Sequence, residues 1–333
     1  MAIKRRDEIE DLARRALERA GTMPHAAASL ARAIGAAEID GLRSHGLTYV
    51  PIYCEHVQCG KVAGDAVPKV ERTATTATVV DAGSGFAHPA IDIGFKALIP
   101  ATLEHGCAAM AVRNSYNCGV LGYHVEHLAR AGLVGLGFTN APASITPVGG
   151  ITPVIGTNPY ALCVPDGQGG AAIILDQSAS VVAKSEITMH AQTGTPIPEG
   201  WAFDAEGHAT TDPRAALKGS MAPSGGYKGF GNGLMAEVFA AAVAGATLGM
   251  DASPFAGTVG GPPKTGQFFF SIDPEPFSDG VFGRRIEVLT DAITRQEGAR
   301  LPGARRLKRR RHHEQHGVEV DDALIKRINA LAR

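Results

Sequence analysis

A histidine between two apolar segments is the first candidate for chemistry in this sequence. His45 lies in "AEIDGLRSHGLTYVPIYCEHV", residues 37–57, with Ser44 before it and Gly46 after it. An imidazole with an ordinary pKa near about 6.5 can pass a proton at neutral pH, and a neighbouring hydroxyl can orient it. The glycine permits a tight backbone. The spacing therefore allows a proton donor, although a polar histidine that ends a helix is the more common case.

Other histidines raise the question of a metal site. His124 and His127 lie three residues apart in a predicted helix and could ligate a metal ion. The sequence places no third ligand near them, so surface histidines are the favoured interpretation and no metal site is predicted. Further histidines belong to the basic segment "RRLKRRRHHEQH". This segment is predicted to be a solvated helix, in which a few arginines could meet a phosphorylated ligand.

Two familiar nucleotide-binding motifs are missing. No G-x-G-x-x-G follows a predicted strand and opens a helix, so a standard dinucleotide-binding fold is unsupported. The segment "GGPPKTGQ" (260–267) lacks the closing Gly-Lys-Ser/Thr of a phosphate loop. Any nucleotide site must therefore be of another kind.

Composition excludes several classes of partner. The chain has 333 residues, 44% hydrophobic and 20% charged, with a formal net charge of −1. This composition is typical of a globular protein with one large domain or two interwoven ones. The balanced charge argues against nucleic-acid and anionic-membrane partners. No apolar run of about 18 residues predicts a membrane span.

Cysteine usage and the N-terminal segment bear on location. The five cysteines are scattered and form no Cys-x-x-Cys pair. This pattern is typical of a reduced protein without a disulfide or zinc framework. The first 21 residues have mixed charges and lack the apolar core of a secretory signal. A cytoplasmic location is expected.

Periodicity predicts helices at both ends of the chain and alternating elements between them. Apolar residues recur at helical spacing over 7–39, with a break at "GTMP", and the tail from about 280 is again helical. The Gly- and Pro-rich region 191–233 is expected to be irregular and functional. The elements predicted between the ends are helix 48–57, strand 74–83, helix 88–106, strand 107–115, helix 122–132, strands 133–141, 160–166 and 171–178, buried helix 232–249 and strand 266–274.

This order predicts a mixed α/β protein in which a helical layer from both termini surrounds a central α/β region. The predicted boundaries are 1–72 for the N-terminal helical part and 73–275 for the central cofactor-binding domain. The C-terminal helical part, 276–333, is expected to pack with residues 1–72.

Seven segments in order resemble the malate/L-lactate dehydrogenase family. They are "AEIDGLRSHGL", "AVRNSYNCGVLGYHVEHLARAGLVGLGFTNAPASITPVGG", "IGTNPYA", "ILDQSASVVAKSE", "GTPIPEGWAFDAEGHATTDPRAAL", "GGYKGFG" and "RLPGARR". The resemblance implies a non-Rossmann fold with a largely antiparallel central sheet and a homodimer with sites near the subunit interface. It also implies an NAD- or NADP-dependent oxidoreductase.

The same resemblance implies roles for individual residues. His45 is the proton donor, Ser44 is its hydrogen-bonding partner, and Glu186 matches a supporting catalytic carboxylate. Substrate contacts are expected from Tyr49, Thr157, Asn158 and Lys184. Cofactor contacts are expected from Asn117, Cys118, Gly119, Val120, Leu121, Asp176, Gln177, Ser178, Lys228, Gly303, Ala304 and Arg305, with Arg306 as an alternative to Arg305 for the cofactor phosphate.

Three positions depart from the family pattern. Tyr49 stands where many relatives carry an arginine that can clamp a carboxylate. Asn117 stands where a histidine is frequent, and Glu186 replaces an aspartate. These departures leave the redox chemistry intact and weaken any specific substrate assignment.

The expected reaction interconverts a small 2-oxo acid and its 2-hydroxy acid, of the malate, lactate or sulfolactate type. Reduction of a cyclic imino acid such as Δ1-pyrroline-2-carboxylate or Δ1-piperideine-2-carboxylate is the main alternative. A homologue that binds ligand without catalysis is the alternative from another class, and a metal-dependent hydrolase that uses His124 and His127 is a weaker one. The choice between NAD and NADP stays open.

Overall fold

The computed structural model describes residues 1–333 and contains twelve α-helices and twelve β-strands. The helices are α1 (Arg6–Arg19), α2 (Pro24–Ile39), α3 (Val50–Gln58), α4 (Ala87–His105), α5 (Leu121–Arg130), α6 (Lys184–Thr193), α7 (Pro213–Lys218), α8 (Tyr227–Glu237), α9 (Glu275–Ser278), α10 (Phe282–Thr294), α11 (Ala304–His316) and α12 (Asp322–Leu331). The strands are β1 (Ala2–Lys4), β2 (Lys69–Ala74), β3 (Ala77–Asp81), β4 (Cys107–Ser115), β5 (Val134–Thr139), β6 (Tyr160–Pro165), β7 (Ala171–Gln177), β8 (Ala202–Phe203), β9 (Ala209–Thr210), β10 (Ser220–Met221), β11 (Thr265–Ile272) and β12 (Val318–Val320).

A seven-stranded sheet forms the centre of the fold. Its strand order is β2-β3-β4-β11-β5-β6-β7, and every neighbouring pair is antiparallel except β3 and β4. Strand β11 lies in the middle, where Phe269 is fully buried opposite Met110 and Gly137. The prediction of a mixed α/β fold with a largely antiparallel central sheet is confirmed.

Helices cover both faces of this sheet. Helix α5 packs closely on β5. A Cβ atom added to Gly137 of β5 would lie only 2.7 Å from Val125 Cγ1 of α5, so the close packing requires glycine there. Residues alternate between the two faces of a strand, so the neighbouring Phe138 points the other way, where its ring stacks on Phe239 at a centroid distance of 4.8 Å. Phe239 lies in a π-helical turn, Val238–Val243, which continues α8. The two coverings place α5 and α8 on opposite sides of β5.

The two chain ends meet in a second core. Strands β1 and β12 pair antiparallel, with Ala2 opposite Val320. A buried cluster joins residues of α1, α2 and α3 to residues of β12 and α12, among them Leu17, Leu30 and Ile328. Burying apolar side chains from both termini holds the ends together at about 25 cal/mol per Å² of apolar surface.

Several local expectations need correction. The predicted single strand 74–83 is the end of a hairpin, in which β2 pairs with β3, so the predicted boundary at 72/73 cuts a strand. The region 191–233 contains short ordered elements, namely α7, β8, β9 and β10. In the C-terminal part, α11 packs against α2 and α12 against α1 and α3, whereas α10 has no buried residue, and the predicted domain bounds stay a prediction. None of the helices combines the length and apolar character that crossing a membrane requires.

The segment 232–249, expected to be a buried helix, is only partly buried. Helix α8 starts earlier, at Tyr227, and passes into the π-helical turn. Leu234, Val238 and Val243 are between 45% and 57% exposed. Small residues allow close packing on one side of this helix, while the large apolar residues on the other side remain uncovered in the single chain.

Candidate active site

The turn that carries His45 follows directly on α2. Arg43–His45 form one turn of 3-10 helix, and Ser44 Oγ lies 3.0 Å from His45 Nδ1. A side chain on Gly46 would lie only 2.1 Å from Glu38 Oε1, so only glycine fits there. The Glu38 carboxyl accepts a hydrogen bond from the Leu47 N–H at 2.7 Å. Helix α2 and the turn are thereby locked together, and the imidazole has a defined position.

His45 opens into a small cleft between the N-terminal helices and the central sheet. The cleft has a volume of about 160 Å³, well below the roughly 300–1,000 Å³ of sites for drug-sized ligands. It therefore suits a small molecule. The lining residues are His45, Tyr49, Tyr53, Asn117, Cys118, Gly119, Thr139, Asn140, Ala141, Thr157, Pro159 and Phe255.

The cleft is electrostatically neutral apart from the histidine. No lysine or arginine lines it. Protein atoms around the His45 imidazole desolvate it and lower its pKa below the ordinary value, although the residue is open to the cleft, and the Asp176 carboxylate acts in the opposite direction. Burial raises the pKa of Tyr49 and of Tyr53, so both phenols keep their protons. The Tyr53 hydroxyl and the Asn140 amide already donate to protein groups. The Tyr49 and Thr157 hydroxyls and Asn117 Nδ2 are the neutral groups that the walls offer to an acid group.

Local hydrogen bonds shape the predicted cofactor loop 117–121. Asn117 Oδ1 accepts the Gly119 N–H at 3.2 Å and the Tyr53 hydroxyl at 3.1 Å. Gly119 has a φ of +65°, which favours glycine. Val120 caps helix α5, and Leu121 begins it as a buried residue. The loop therefore presents the backbone of Gly119 to the cleft beside His45.

His124 supports this loop and is not a surface residue, which corrects the earlier interpretation. It is 1% exposed, and its Nε2 donates to the Cys118 carbonyl at 2.8 Å. Desolvation lowers its pKa to about 4, so it is neutral at pH 7. His127 Nδ1 instead contacts the Tyr123 carbonyl at 2.9 Å. No group of three or more His, Cys, Asp or Glu side chains is arranged to hold a metal ion.

A second, basic cavity lies beyond Asp176 and has a volume of about 480 Å³. Asp176 Oδ2 accepts the Gly122 N–H at 2.9 Å, which joins the end of β7 to the first turn of α5. Gly303, with φ +83°, lies so close to Ile174 that only glycine fits. Arg305 follows at the start of α11 and is exposed. We call this cavity the arginine pocket; it is lined by Asp40, Leu42, Ile174, Asp176, Arg300, Leu301, Pro302, Gly303, Arg305, Arg306 and Arg309.

The arginines of α11 fall into two groups. Arg306 is 9% exposed and pairs with Asp40 at 2.5 Å, and Arg310 pairs with Asp40 and with Glu126. The pKa of Glu126 falls to about 2, because hydrogen bonds and charge from Arg310 outweigh its burial. These buried arginines join α2, α5 and α11 and are already neutralised. Of the two arginines considered for the cofactor phosphate, Arg305 is exposed and forms no ion pair, whereas Arg306 is paired with Asp40.

The remaining predicted residues lie outside the His45 cleft. Gln177 and Ser178 line a third cavity, of about 300 Å³, together with Asn232. Lys228 is exposed on the first turn of α8, and Ala304 is the first residue of α11.

Lys184 and Glu186 occupy the exposed first turn of α6, and neither lines the cleft. Within this chain, the structure therefore does not bring the predicted supporting carboxylate, Glu186, to His45. It also does not bring Lys184 to the predicted substrate contact.

Asn158 is a further predicted substrate contact, and its side chain does not line the cleft. It is fully buried, and its amide is used by Ala141, Gly233 and Glu237. Both N–H donors of the side chain are thereby used, and neither is left for a substrate. Of the "GTNP" turn, Thr157 is the residue that lines the cleft.

Sequence reasoning missed several cleft residues. Tyr53, Asn140 and Phe255 line the cleft beside the predicted ones. A signal for Asn140 was available, because "TNAP" at 139–142 repeats the "TNP" of the predicted substrate turn. Phe255 had no such signal: its loop is held by Lys61, fully buried, whose Nζ donates to the Pro254 carbonyl at 2.6 Å.

Comparison with known proteins places this geometry in context. A family model described as malate/L-lactate dehydrogenase matches residues 5–329. The chain is 43% identical over 325 residues to a (2R)-3-sulfolactate dehydrogenase (NADP(+)) of Chromohalobacter salexigens, covering 98% of this chain and 96% of that protein. It is 36% identical over 327 residues to a Δ1-pyrroline-2-carboxylate reductase of Ancylobacter novellus, covering 97% and 96%.

Solved structures agree with the fold. The Δ1-piperideine-2-carboxylate reductase of Pseudomonas syringae superposes with a TM-score of 0.94 at 33% identity, covering 99% of this chain and 100% of that one. The sulfolactate dehydrogenase of Methanocaldococcus jannaschii gives a TM-score of 0.88 at 27% identity, covering 99% and 97%.

Proposed function

Because the chain belongs to the malate/L-lactate dehydrogenase family of NAD(P)-dependent oxidoreductases, we propose that it reduces a small 2-oxo acid to the 2-hydroxy acid, and oxidises the product in reverse. The substrate class that we favour carries a second acid group, as in sulfopyruvate and 3-sulfolactate. The observation that carries the proposal is the placement of His45 in a small cleft walled by neutral hydrogen-bond donors. The 43% identity to a sulfolactate dehydrogenase supports the choice of substrate.

The three cavities fit an extended dinucleotide. Asp176, Gln177 and Ser178 are consecutive, and they run from the arginine pocket to the third cavity. Gly119 and Gly303 have positive φ and pack against His88 and Ile174, so glycine is needed to form the two turns proposed to contact the cofactor. NAD(P)H, when bound, supplies the hydride. The residues that would hold it are the loop 117–121, the segment 176–178 and the turn 303–305.

His45 completes the reaction by handling the proton. When negative charge develops on the oxygen at C2, the protonated imidazole donates its proton to that oxygen. The Ser44 hydroxyl, 3.0 Å from Nδ1, orients the ring so that Nε2 is left for the substrate. Thr157 and Tyr49 are the proposed contacts for the acid groups. Neutral donors replace the arginine that is absent at position 49.

A cyclic imino acid is the second candidate substrate. The cleft has aromatic walls at Tyr49, Tyr53 and Phe255, against which a flat five- or six-membered ring could pack. His45 would then face the ring nitrogen instead of an oxygen. The 36% identity to a Δ1-pyrroline-2-carboxylate reductase supports this alternative.

NADP is the cofactor that the arginine pocket favours. Arg300, Arg305 and Arg309 line this pocket and take part in no ion pair, unlike the buried arginines beside them. Free guanidinium groups recognise phosphate by charge-assisted hydrogen bonds, and an arginine at this kind of site accommodates a 2′-phosphate. A cofactor without that phosphate would leave the pocket's positive charge unbalanced.

Substrate panels test the proposed function directly. Oxidation of NADPH and NADH would be followed at about 340 nm with sulfopyruvate, oxaloacetate, pyruvate, Δ1-pyrroline-2-carboxylate and Δ1-piperideine-2-carboxylate. We expect the highest kcat/KM with NADPH and sulfopyruvate. Turnover of the imines alone would select the second candidate. Cofactor binding without turnover of any compound would favour a ligand-binding homologue and contradict the proposal.

The uncovered apolar surface supports a homodimer. Helix α10 presents Phe282, Ile286, Leu289 and Ile293 at helical spacing, yet it buries no residue within the single chain. An amphipathic helix of this kind is stable when a partner covers its apolar stripe. The exposed apolar side of α8 also requires a covering partner. The proposed partner is a second copy of this chain.

Sedimentation velocity of the purified protein tests this assembly. We expect twice the chain mass of 34.6 kDa for the native sequence, and the mass of one chain for Leu289→Asp, which buries a charge in the interface. Leu103→Asp, a substitution of an exposed leucine on α4, is the control and should leave the dimer intact. A single-chain mass for the native protein would contradict the dimer.

Free thiols support the proposed cytoplasmic location. Cys54, Cys118 and Cys163 are buried, and none of the five cysteines forms a disulfide. Burial raises the pKa of the Cys54 thiol to about 11 and those of Cys118 and Cys163 to about 12, so these groups remain protonated. Unpaired cysteines are typical of proteins kept in a reducing compartment.

A further inference from the structure

A buried carboxylate lies behind the cleft and takes no part in the proposed reaction. Glu237, the last residue of α8, is 5% exposed and forms no ion pair. Its Oε1 accepts the Gly249 N–H at 2.6 Å and Asn140 Nδ2 at 3.4 Å. Its Oε2 accepts Asn158 Nδ2 at 2.6 Å. Burying a carboxylate without a cation is unfavourable unless N–H donors replace its water, so Glu237 depends on these three groups.

The orientation of both asparagines is determined by their other partners. Asn158 Oδ1 accepts the Ala141 N–H at 3.1 Å, and its Nδ2 also donates to the Gly233 carbonyl at 3.0 Å. Rotating this amide by 180° would set donor against donor and oxygen against oxygen. The NH₂ group of Asn158 therefore points toward Glu237.

Asn140 is constrained in the same way. Its Oδ1 accepts the Gly266 N–H at 2.9 Å, and its Nδ2 donates to the Thr247 carbonyl at 2.9 Å. Its amide also cannot rotate without losing both bonds. Three N–H groups, from Asn140, Asn158 and Gly249, therefore point at the two carboxyl oxygens of Glu237. Only a group with two acceptor oxygens can accept all three hydrogen bonds.

The asparagines belong to the two walls of the cleft. Asn140 itself lines the cleft within Thr139–Ala141, and Asn158 follows directly on Thr157. Asn158 has φ +36°, a backbone conformation that asparagine tolerates and that its buried amide stabilises here. Both walls are therefore fastened to one carboxylate, although they are separate in the chain.

We propose that Glu237 is a positioning residue that holds Thr139–Ala141 and Thr157–Pro159 in the geometry that receives the substrate's acid groups. The proposal rests on the proposed function, in which Thr157 contacts the substrate. Glu237 itself does not touch the substrate. Its loss should therefore displace a binding wall and leave the proton donor and the arginine pocket in place.

Glu237→Gln is the principal test, because glutamine keeps the shape and removes one acceptor. Its NH₂ group would face either Asn158 Nδ2 or the Gly249 N–H, so one wall must move. We expect the KM for the 2-oxo acid to rise about tenfold, with kcat and the Kd of NADPH changed less than about twofold, as for an interaction equal in ground and transition states. Glu237→Asp, which keeps both oxygens on a shorter arm, should show a smaller rise in KM.

A matched control separates positioning from general loss of stability. Asp81 accepts the Gly83 N–H and Asn114 Nδ2, each at 2.9 Å, and Asn114 also has a positive φ, but Asp81 does not line the cleft. Asp81→Asn should lower Tm without raising KM. An unchanged KM in Glu237→Gln, or equal losses of kcat, substrate affinity and cofactor affinity, would overturn the proposal.

Hydrogen exchange gives a readout that does not depend on turnover. In Glu237→Gln, the amides of Ala141 and Gly249 should exchange faster, while the loop 117–121 should not change. If the native protein turned over no compound, the proposed function would fail, and exchange at these amides would still decide for or against Glu237. If Glu237→Gln did not fold, Glu237→Asp would be judged by the same amides. Unchanged exchange at both would contradict the role.

Discussion

Replacing His45 by alanine is expected to lower kcat for 2-oxo acid reduction by about 10²–10⁴-fold, the range for loss of a general acid. The cleft retains its walls, because the imidazole contributes only its hydrogen bond with Ser44 to the packing of the turn. The Kd of NADPH, measured by the fluorescence of the bound cofactor, should change less than about twofold. Steady-state kinetics with the best substrate of the panel provides the measurement.

An exposed histidine supplies the control for this result. His208 has a side chain that is 79% exposed and lies outside the cleft, so His208→Ala should retain native turnover. Near-native kcat in His45→Ala would contradict the proposal that His45 is the proton donor. Loss of NADPH binding together with turnover would instead show that the substitution disturbs the cofactor loop.

The pH dependence of the native enzyme follows from the same residue. Desolvation lowers the His45 pKa below its ordinary 6.5, so the donor form exists mainly at acidic pH. For reduction, kcat/KM should fall as pH rises through that lowered pKa, because the protonated form is lost. For oxidation, the neutral imidazole acts as the base, and kcat/KM should rise through the same pKa. Profiles without opposite slopes in the two directions would exclude His45 as the group that titrates.

Removing two of the unpaired arginines of the arginine pocket should abolish the preference for NADPH over NADH. In Arg305→Ala/Arg309→Ala, we expect the Kd of NADPH to rise about 100-fold, while the Kd of NADH changes less than about threefold. Hydrogen bonds to charged groups contribute about 1.5–3 kcal/mol each, and about 3 kcal/mol for two corresponds to this factor. Fluorescence titration with both cofactors measures the two constants independently of the substrate.

The exposed Arg327 on α12 offers a matched control for charge alone. Arg327→Ala removes a surface guanidinium that does not line the pocket, and it should leave both constants unchanged. Equal weakening of NADPH and NADH in the double variant would mean that the arginines bind a group common to both cofactors. That result would contradict recognition of the 2′-phosphate.

Sequence alone located the features that neighbouring residues determine. The Ser44-His45-Gly46 turn, the loop 117–121 and the turn at Gly303 each lie in a continuous segment, and their glycines are required by local backbone geometry or close approach. Helical and alternating patterns likewise predicted the central sheet and the terminal helices, because burial of one face repeats with the period of the element. The family resemblance came from the same continuous segments.

Residues far apart in the chain gave no comparable signal. The predicted exposure of His124 was wrong, because its burial depends on how α5 packs against His88 of α4 and Phe269 of β11. The contact of Asn158 with substrate stays a prediction, and a "TNP" turn does not reveal that its side-chain amide points to Glu237. The resemblance gives Glu186 a supporting catalytic role and Lys184 a substrate contact; the fold places both on the exposed first turn of α6, and their roles stay predictions.

The sequence by itself predicted the fold class and the glycine turns of this oxidoreductase and pointed to His45 as the proposed proton donor, because these depend on residues close together in the chain. Only the tertiary structure decided which arginines remain free, where α2, α5 and α11 bury the others against Asp40 and Glu126. It also decided that Glu237 joins Asn140 and Asn158. Burial and hydrogen-bond direction depend on partners brought together by packing, and the spacing of residues along the chain does not contain that information.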